Sequence, residues 1–102
     1  MIYVRTGSPT LSAQEAVCIL HVDDDPDNLQ TTKSLLNRPG IEVVSAQSAV
    51  EALGRLHEHD FALALVVVDM PKIDGFQLAE MMRDDTRARE VPIIFITGAA
   101  VD

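Results

Sequence analysis

This sequence has little with which to cross-link itself, cross a membrane or hold nucleic acid. Cys18 is the one cysteine among 102 residues, so an intrachain disulfide is excluded. It stands in the apolar run Val17-Cys-Ile-Leu-His-Val22, where a small buried hydrophobe is the better reading than a reactive thiol. No apolar run approaches the roughly 20 residues that span a bilayer. Met1 to Ala16 carries one basic residue, Arg5, and no apolar h-region, which excludes a secretory signal. Its Gly7-Ser8-Pro9 and Ser12 predict a flexible leader over 1–16, and the protein is placed in the cytoplasm. Basic residues number 8 against 16 acidic ones, a net charge of −8, and none of the Lys or Arg are clustered. Phosphate contacts need such clusters, so nucleic acid is excluded as a partner of this segment. There is no internal repeat, no low-complexity tract, no P-loop, no Ser–His–Asp array and no cysteine metal motif.

What remains is a single-domain length with 47% hydrophobic and 24% charged residues, the balance of a folded globular chain. Short apolar runs alternate with helical patterns. Val17 to Val22 predicts a first strand, followed by the acidic loop Asp23-Asp24-Asp25-Pro26-Asp27. Asp25 before Pro26 suits an N-cap with proline in the first turn, and the helix should run to about Asn37. Pro39-Gly40 turns the chain into a second β-prone run, Ile41 to Ser45. Ser48-Ala-Val-Glu51 reads as a capping box, with Ala49, Val50, Leu53 and Leu56 as the apolar stripe of a second helix. Phe61 to Val68 is apolar on both faces, as a covered central strand must be. Asp74 can cap a third helix with Leu78, Met81 and Met82 inward, and Val91 to Thr97 makes the fourth strand. Repeated strand–helix units of this length predict an α/β fold with a parallel sheet and right-handed crossovers.

In such a sheet, ligands gather at the carboxyl ends of the strands. Asp23 and Asp24 end the first strand, Asp69 lies near the end of the third, and Thr97 ends the fourth. Carboxylates that close repel one another unless one takes a proton or a cation intervenes. Mg²⁺ accepts a few carboxylates together with waters and phosphate oxygens, so the cluster suits metal-assisted phosphoryl chemistry. The plainer alternative, a solvated loop that only caps the first helix, is equally compatible with Asp23 to Asp27.

Ile19-Leu-His-Val-Asp-Asp-Asp-Pro26 resembles the first-strand signature of response-regulator receiver domains, the modules of two-component phosphorelays. Asp60-Phe-Ala-Leu-Ala-Leu, Met70-Pro-Lys-Ile-Asp-Gly75 and Pro92-Ile-Ile-Phe-Ile-Thr97 resemble the later signatures in the right order. The resemblance runs from about Val17 to Thr97 and implies a flavodoxin-like sheet in strand order 2-1-3-4, flanked by helices. It also implies that Asp23 and Asp24 bind Mg²⁺, that Thr97 contacts the phosphoryl group and that Pro71 is the loop proline. Its implied partners are a histidine kinase or phosphotransfer protein, and the Asp60 to Arg83 stretch is most similar to receivers of hybrid sensor kinases.

Two departures stand out. The phosphoacceptor Asp of the family precedes that proline by four residues, and here the position is Val67. A valine can neither form an acyl phosphate nor ligate a metal. Asp69 follows at the position whose carbonyl helps bind metal in the family. A two-residue slip of the third strand would carry Asp69 toward the acceptor position while keeping the inside–outside pattern. Without a slip, Asp69 lies roughly 6–7 Å further along the chain. The second departure is the far end: the family's fifth strand and its lysine are not matched, because Lys33 and Lys72 fall elsewhere. Over 17–102 the expectation is therefore a receiver domain incomplete after the fourth strand, whose open edge invites self-association.

Three functions follow as expectations. The first is a phosphorylation-controlled receiver with Asp69 as substitute acceptor and third metal ligand. The second is a degenerate receiver that binds partners without phosphate. The third, a small metal-dependent phosphatase, lacks a convincing nucleophile. An enzyme in its own right is not expected. His21 should pack beneath the acidic site. His57, His59 and the loop from Arg83 to Glu90 should be solvated surface.

Overall fold

The alternation of apolar runs and amphipathic segments becomes four strands and three helices in the computed structural model, which describes residues 16–36 and 38–97. In chain order these are β1 (Val17–Val22), α1 (Pro26–Leu36), β2 (Ile41–Ala46), α2 (Ala49–Glu58), β3 (Leu63–Val67), α3 (Gly75–Asp84) and β4 (Ile93–Ile96). The leader expected over 1–16 lies outside the described residues except for Ala16, which is exposed. The strands form one parallel sheet in the order β2-β1-β3-β4. This is the flavodoxin-like order expected from the sequence.

Register decides which side chains share a face. Leu20 pairs with Val44 and Ala64, and Val22 with Ala46 and Val66. Leu20, Val22, Ala46, Ala64 and Val66 join Ala49, Ala52 and Leu56 of α2 and Leu78 and Met82 of α3 in the main core. The intervening residues Ile19, His21, Val43, Leu63 and Leu65 point to the other face, where α1 contributes its one buried residue, Leu29. Both faces of β3 are thus engaged, which accounts for its unbroken apolar run.

Local chemistry sets the helix starts. Asp25 Oδ1 accepts the Asp27 amide, and the Asp25 carbonyl accepts the Leu29 amide, so α1 begins behind Pro26. Ser48 accepts the Glu51 amide at 3.1 Å, yet the Glu51 carboxylate returns to the Gln47 amide rather than to that of Ser48. The box expected at α2 is therefore one residue offset on its return side. Asp74 and Gln77 close a complete capping box at α3.

Some details differ from expectation. Val50 is 70% exposed, and Ala52 takes the buried place in α2. Met81 is 39% exposed, while Leu78 and Met82 carry the inward face of α3. A helix buries only a stripe, and in both cases the stripe lies slightly round from the predicted side. β3 and β4 are shorter than their apolar runs, and Phe61 and Val91 at the starts of those runs pack with the core from the loops.

Candidate strand-end site

Parallel pairing brings the carboxyl ends of β1, β3 and β4 to one edge. Val22 pairs with Val66 and Val67 with Ile96, while the Val68 amide donates to the Ile96 carbonyl at 2.9 Å. Asp23 and Val67 each follow the last β1–β3 pair by one residue. Thr97 follows β4 directly and is exposed, Asp24 and Asp69 are exposed, and Pro71 is exposed in the β3–α3 loop. The third strand pairs Val66 with Val22 and Val67 with Ile96, so Val67 is its last residue and Asp69 lies past its end.

Val67 is half-buried and packs against the main core. Asp23 is only 3% exposed, and its Oδ1 accepts the Asp25 amide at 2.9 Å, closing the turn between β1 and α1. Beneath it on the same face lies His21, 2% exposed, with Nδ1 buried and unpartnered. Burial pushes the His21 imidazole below its usual value, against the opposing pull of the Asp23 charge. The β3–α3 loop turns at Lys72, a left-handed residue with φ 70°, and the Ile73 amide bonds back to the Pro71 carbonyl at 2.9 Å.

The donor set was expected to gather Asp23, Asp24 and Asp69 around Mg²⁺. Among the described residues no group of three or more His, Cys, Asp or Glu side chains is placed to hold a metal ion. The physical reason lies in three places: β3 ends in Val67 rather than a carboxylate, Asp23 Oδ1 is engaged with the backbone, and Asp69 is exposed past the strand. These residues do not fit a three-carboxylate metal centre.

Sequence reasoning missed a second polar cluster, away from this edge. His57 Nε2 lies 2.6 Å from Asp85 Oδ2, and Arg87 donates to the His57 carbonyl at 2.7 Å. Asp85 also accepts the Arg87 and Ala88 amides, so the loop after α3 is tied to the last turn of α2. The hydrogen bond from His57, then those two amides, hold the Asp85 carboxyl below the usual carboxylate range. The Asp-x-Arg-Ala spacing of a capped turn was its only signal. Cys18 is half-buried rather than buried, with Sγ donating to Glu42 Oε2 at 3.8 Å, and burial followed by the Glu42 charge raises its pKa.

Among the described residues no helix is long and apolar enough to cross a membrane. The family model described as response regulator receiver domain matches residues 19–102. Response regulator Rre1 of Synechocystis is 33% identical over 85 residues, covering 82% of this chain and 37% of that protein. The polar-differentiation response regulator DivK of Brucella ovis is 28% identical over 83 residues, covering 81% of this chain and 68% of DivK. This chain thus spans well under half the length of Rre1. Among solved structures, the chemotaxis protein CheY4 of Vibrio cholerae superposes with a TM-score of 0.78 at 27% identity, covering 84% of this chain and 72% of CheY4. A CheY-like receiver domain protein from Methanospirillum hungatei gives a TM-score of 0.75 at 33% identity, covering 85% and 68%. With the sheet order and the family match in agreement, the chain belongs to the response regulator receiver domain family.

Proposed function

We propose that this chain is a receiver-type interaction module of two-component signalling that docks on a histidine kinase or phosphotransfer protein without taking phosphate at residue 67. The observation that carries this reading is Val67, the last residue of β3, half-buried and packed against the core, where the resemblance puts the acceptor. A hydrocarbon side chain offers no nucleophile for phosphoryl transfer. In this reading the chain turns over no substrate of its own, works in the cytoplasm and signals by occupancy of its partner.

A second reading, with Asp69 as acceptor, has one observation in its favour: an exposed carboxylate two residues past Val67. Incubation with acetyl phosphate and Mg²⁺, followed by intact-mass measurement and borohydride trapping, separates the two. The proposed reading expects no phosphoryl mass increase. A trapped adduct at Asp69 would replace it with the second reading.

A further inference from the structure

We infer that the strand-end site of this chain needs no cation: Val67 fills the acceptor position with core-packed hydrocarbon, and Asp23 serves instead as the acceptor that closes the β1–α1 turn. The inference rests on the phosphate-free reading above and extends it to the metal.

Mg²⁺ keeps most of its water and is held by one or two carboxylates together with phosphate oxygens, so without a phosphate the carboxylates themselves must converge on one point. Here the residue that follows the last β1–β3 pair on β3 is Val67, and the two carboxylates besides Asp23, those of Asp24 and Asp69, are exposed to water. No three-ligand group exists among the described residues.

Asp23 also has an occupation that a solvated ligand would not need. It is 3% exposed, and Oδ1 takes the Asp25 amide at 2.9 Å. That bond fixes the loop from which α1 starts, since Asp25 in turn accepts the Asp27 amide at 2.9 Å. The two carboxylates form a relay of turn closures leading into the helix, a role that requires oxygen acceptors and no metal. On the odd-numbered face, buried His21 lies under Asp23, so the floor of the site is an imidazole and aliphatic side chains. The consequence is a site with one arrangement, set by the sequence, rather than two arrangements selected by cation and phosphate.

The test uses the whole chain with Mg²⁺ titrated to millimolar levels and no phosphodonor present, followed by thermal unfolding and amide NMR. The unfolding temperature should not move, and the amides of Asp23, Asp24, Asp69 and Thr97 should stay in place. A saturable joint shift of those amides, or an unfolding temperature that climbs with Mg²⁺, overturns the inference. Asp23→Asn keeps an acceptor oxygen for the Asp25 amide and should unfold with the wild type, whereas Asp23→Ala should unfold at a lower temperature. If Asp23→Asn instead abolishes a Mg²⁺ response seen in the wild type, Asp23 is a ligand and the inference fails. Val67→Asp restores the opposing carboxylate and should create Mg²⁺-dependent stabilisation; a folded Val67→Asp chain indifferent to Mg²⁺ would remove Val67 as the cause. The wild-type titration decides even where that variant does not fold. Because no phosphodonor is present, a cation response here and an Asp69 adduct in the labelling experiment are separate failures.

Discussion

Gly75 and Val67 are in backbone contact: a Cβ placed on Gly75 would overlap the Val67 carbonyl oxygen and come within 2.9 Å of Val68 Cα. The Gly75 amide donates to the Val68 carbonyl at 2.8 Å, so the first turn of α3 is fastened to the end of β3. Neither partner in that contact can yield without disturbing the β3–β4 pairing, because the Val68 amide bonds to Ile96. Gly75→Ala should therefore destabilise the fold by about 1–3 kcal/mol, the range for inserting a methyl into filled space. Denaturant unfolding measures it, and a change within a few tenths of a kcal/mol would mean that α3 shifts freely along the strand.

The same contact explains what the sequence could and could not show. The elements were legible because each apolar run is bounded by turn residues, and because Asp74-x-x-Gln77 and Ser48-x-x-Glu51 mark helix starts, while the strand order came from the family resemblance. Val67 was singled out by the same resemblance, from its distance to Pro71 without any gap. Register was not legible. Whether β3 slips by two residues depends on backbone packing at Gly75 and on pairing with Ile96, and a side-chain pattern of period two is blind to such a slip. The ties of His57, Asp85 and Arg87 were hidden for a similar reason: they join residues 28 and 30 positions apart, whose proximity exists only after α2 and α3 pack together.

That tie predicts an acid-sensitive contribution to stability. The Asp85 carboxyl is held below the usual carboxylate range, first by His57 and then by the Arg87 and Ala88 amides. A depressed folded value means stabilisation that is present above the unfolded value of about 4 and lost as pH falls through the folded one. Asp85→Ala should unfold earlier than the wild type at neutral pH, and the two curves should converge in strong acid. A difference that persists unchanged to the lowest pH would assign the effect to packing instead.

His21 should act with the opposite consequence. Its imidazole is buried with an unpartnered Nδ1, and burial lowers its affinity for a proton. The unfolded chain takes that proton below about pH 6.5 while the folded chain resists, so stability falls as pH drops through this range. Replacing the ring with hydrocarbon removes both the orphaned nitrogen and the proton linkage. His21→Leu should be more stable by about 1 kcal/mol at neutral pH, the lower end for an unmet buried polar group. The advantage should widen toward pH 5; an advantage that shrinks there would show that His21 accepts the proton in the folded state.

The last prediction concerns β4. Among the described residues it pairs with β3 alone, and Ile94, Phe95 and Ile96 are each about two-fifths exposed, at 42%, 40% and 38%. The opposite edge, β2, carries exposed Glu42, whereas the four residues of β4 include no charge. Uncharged apolar edges recruit further strands, because their outward amides and carbonyls are still available for pairing. Phe95 is partly engaged by Phe76, with ring centroids 4.8 Å apart, which leaves Ile94 and Ile96 as the apolar side chains of the other face. This chain should therefore self-associate as its concentration rises, and sedimentation velocity should show a species larger than 11.1 kDa. Ile94→Lys places a charge on the edge without touching the Phe76–Phe95 pair and should return the chain to monomer. A wild type that stays monomeric at every concentration would show that the edge is closed by other means, and an Ile94→Lys chain that associates as before would move the contact elsewhere.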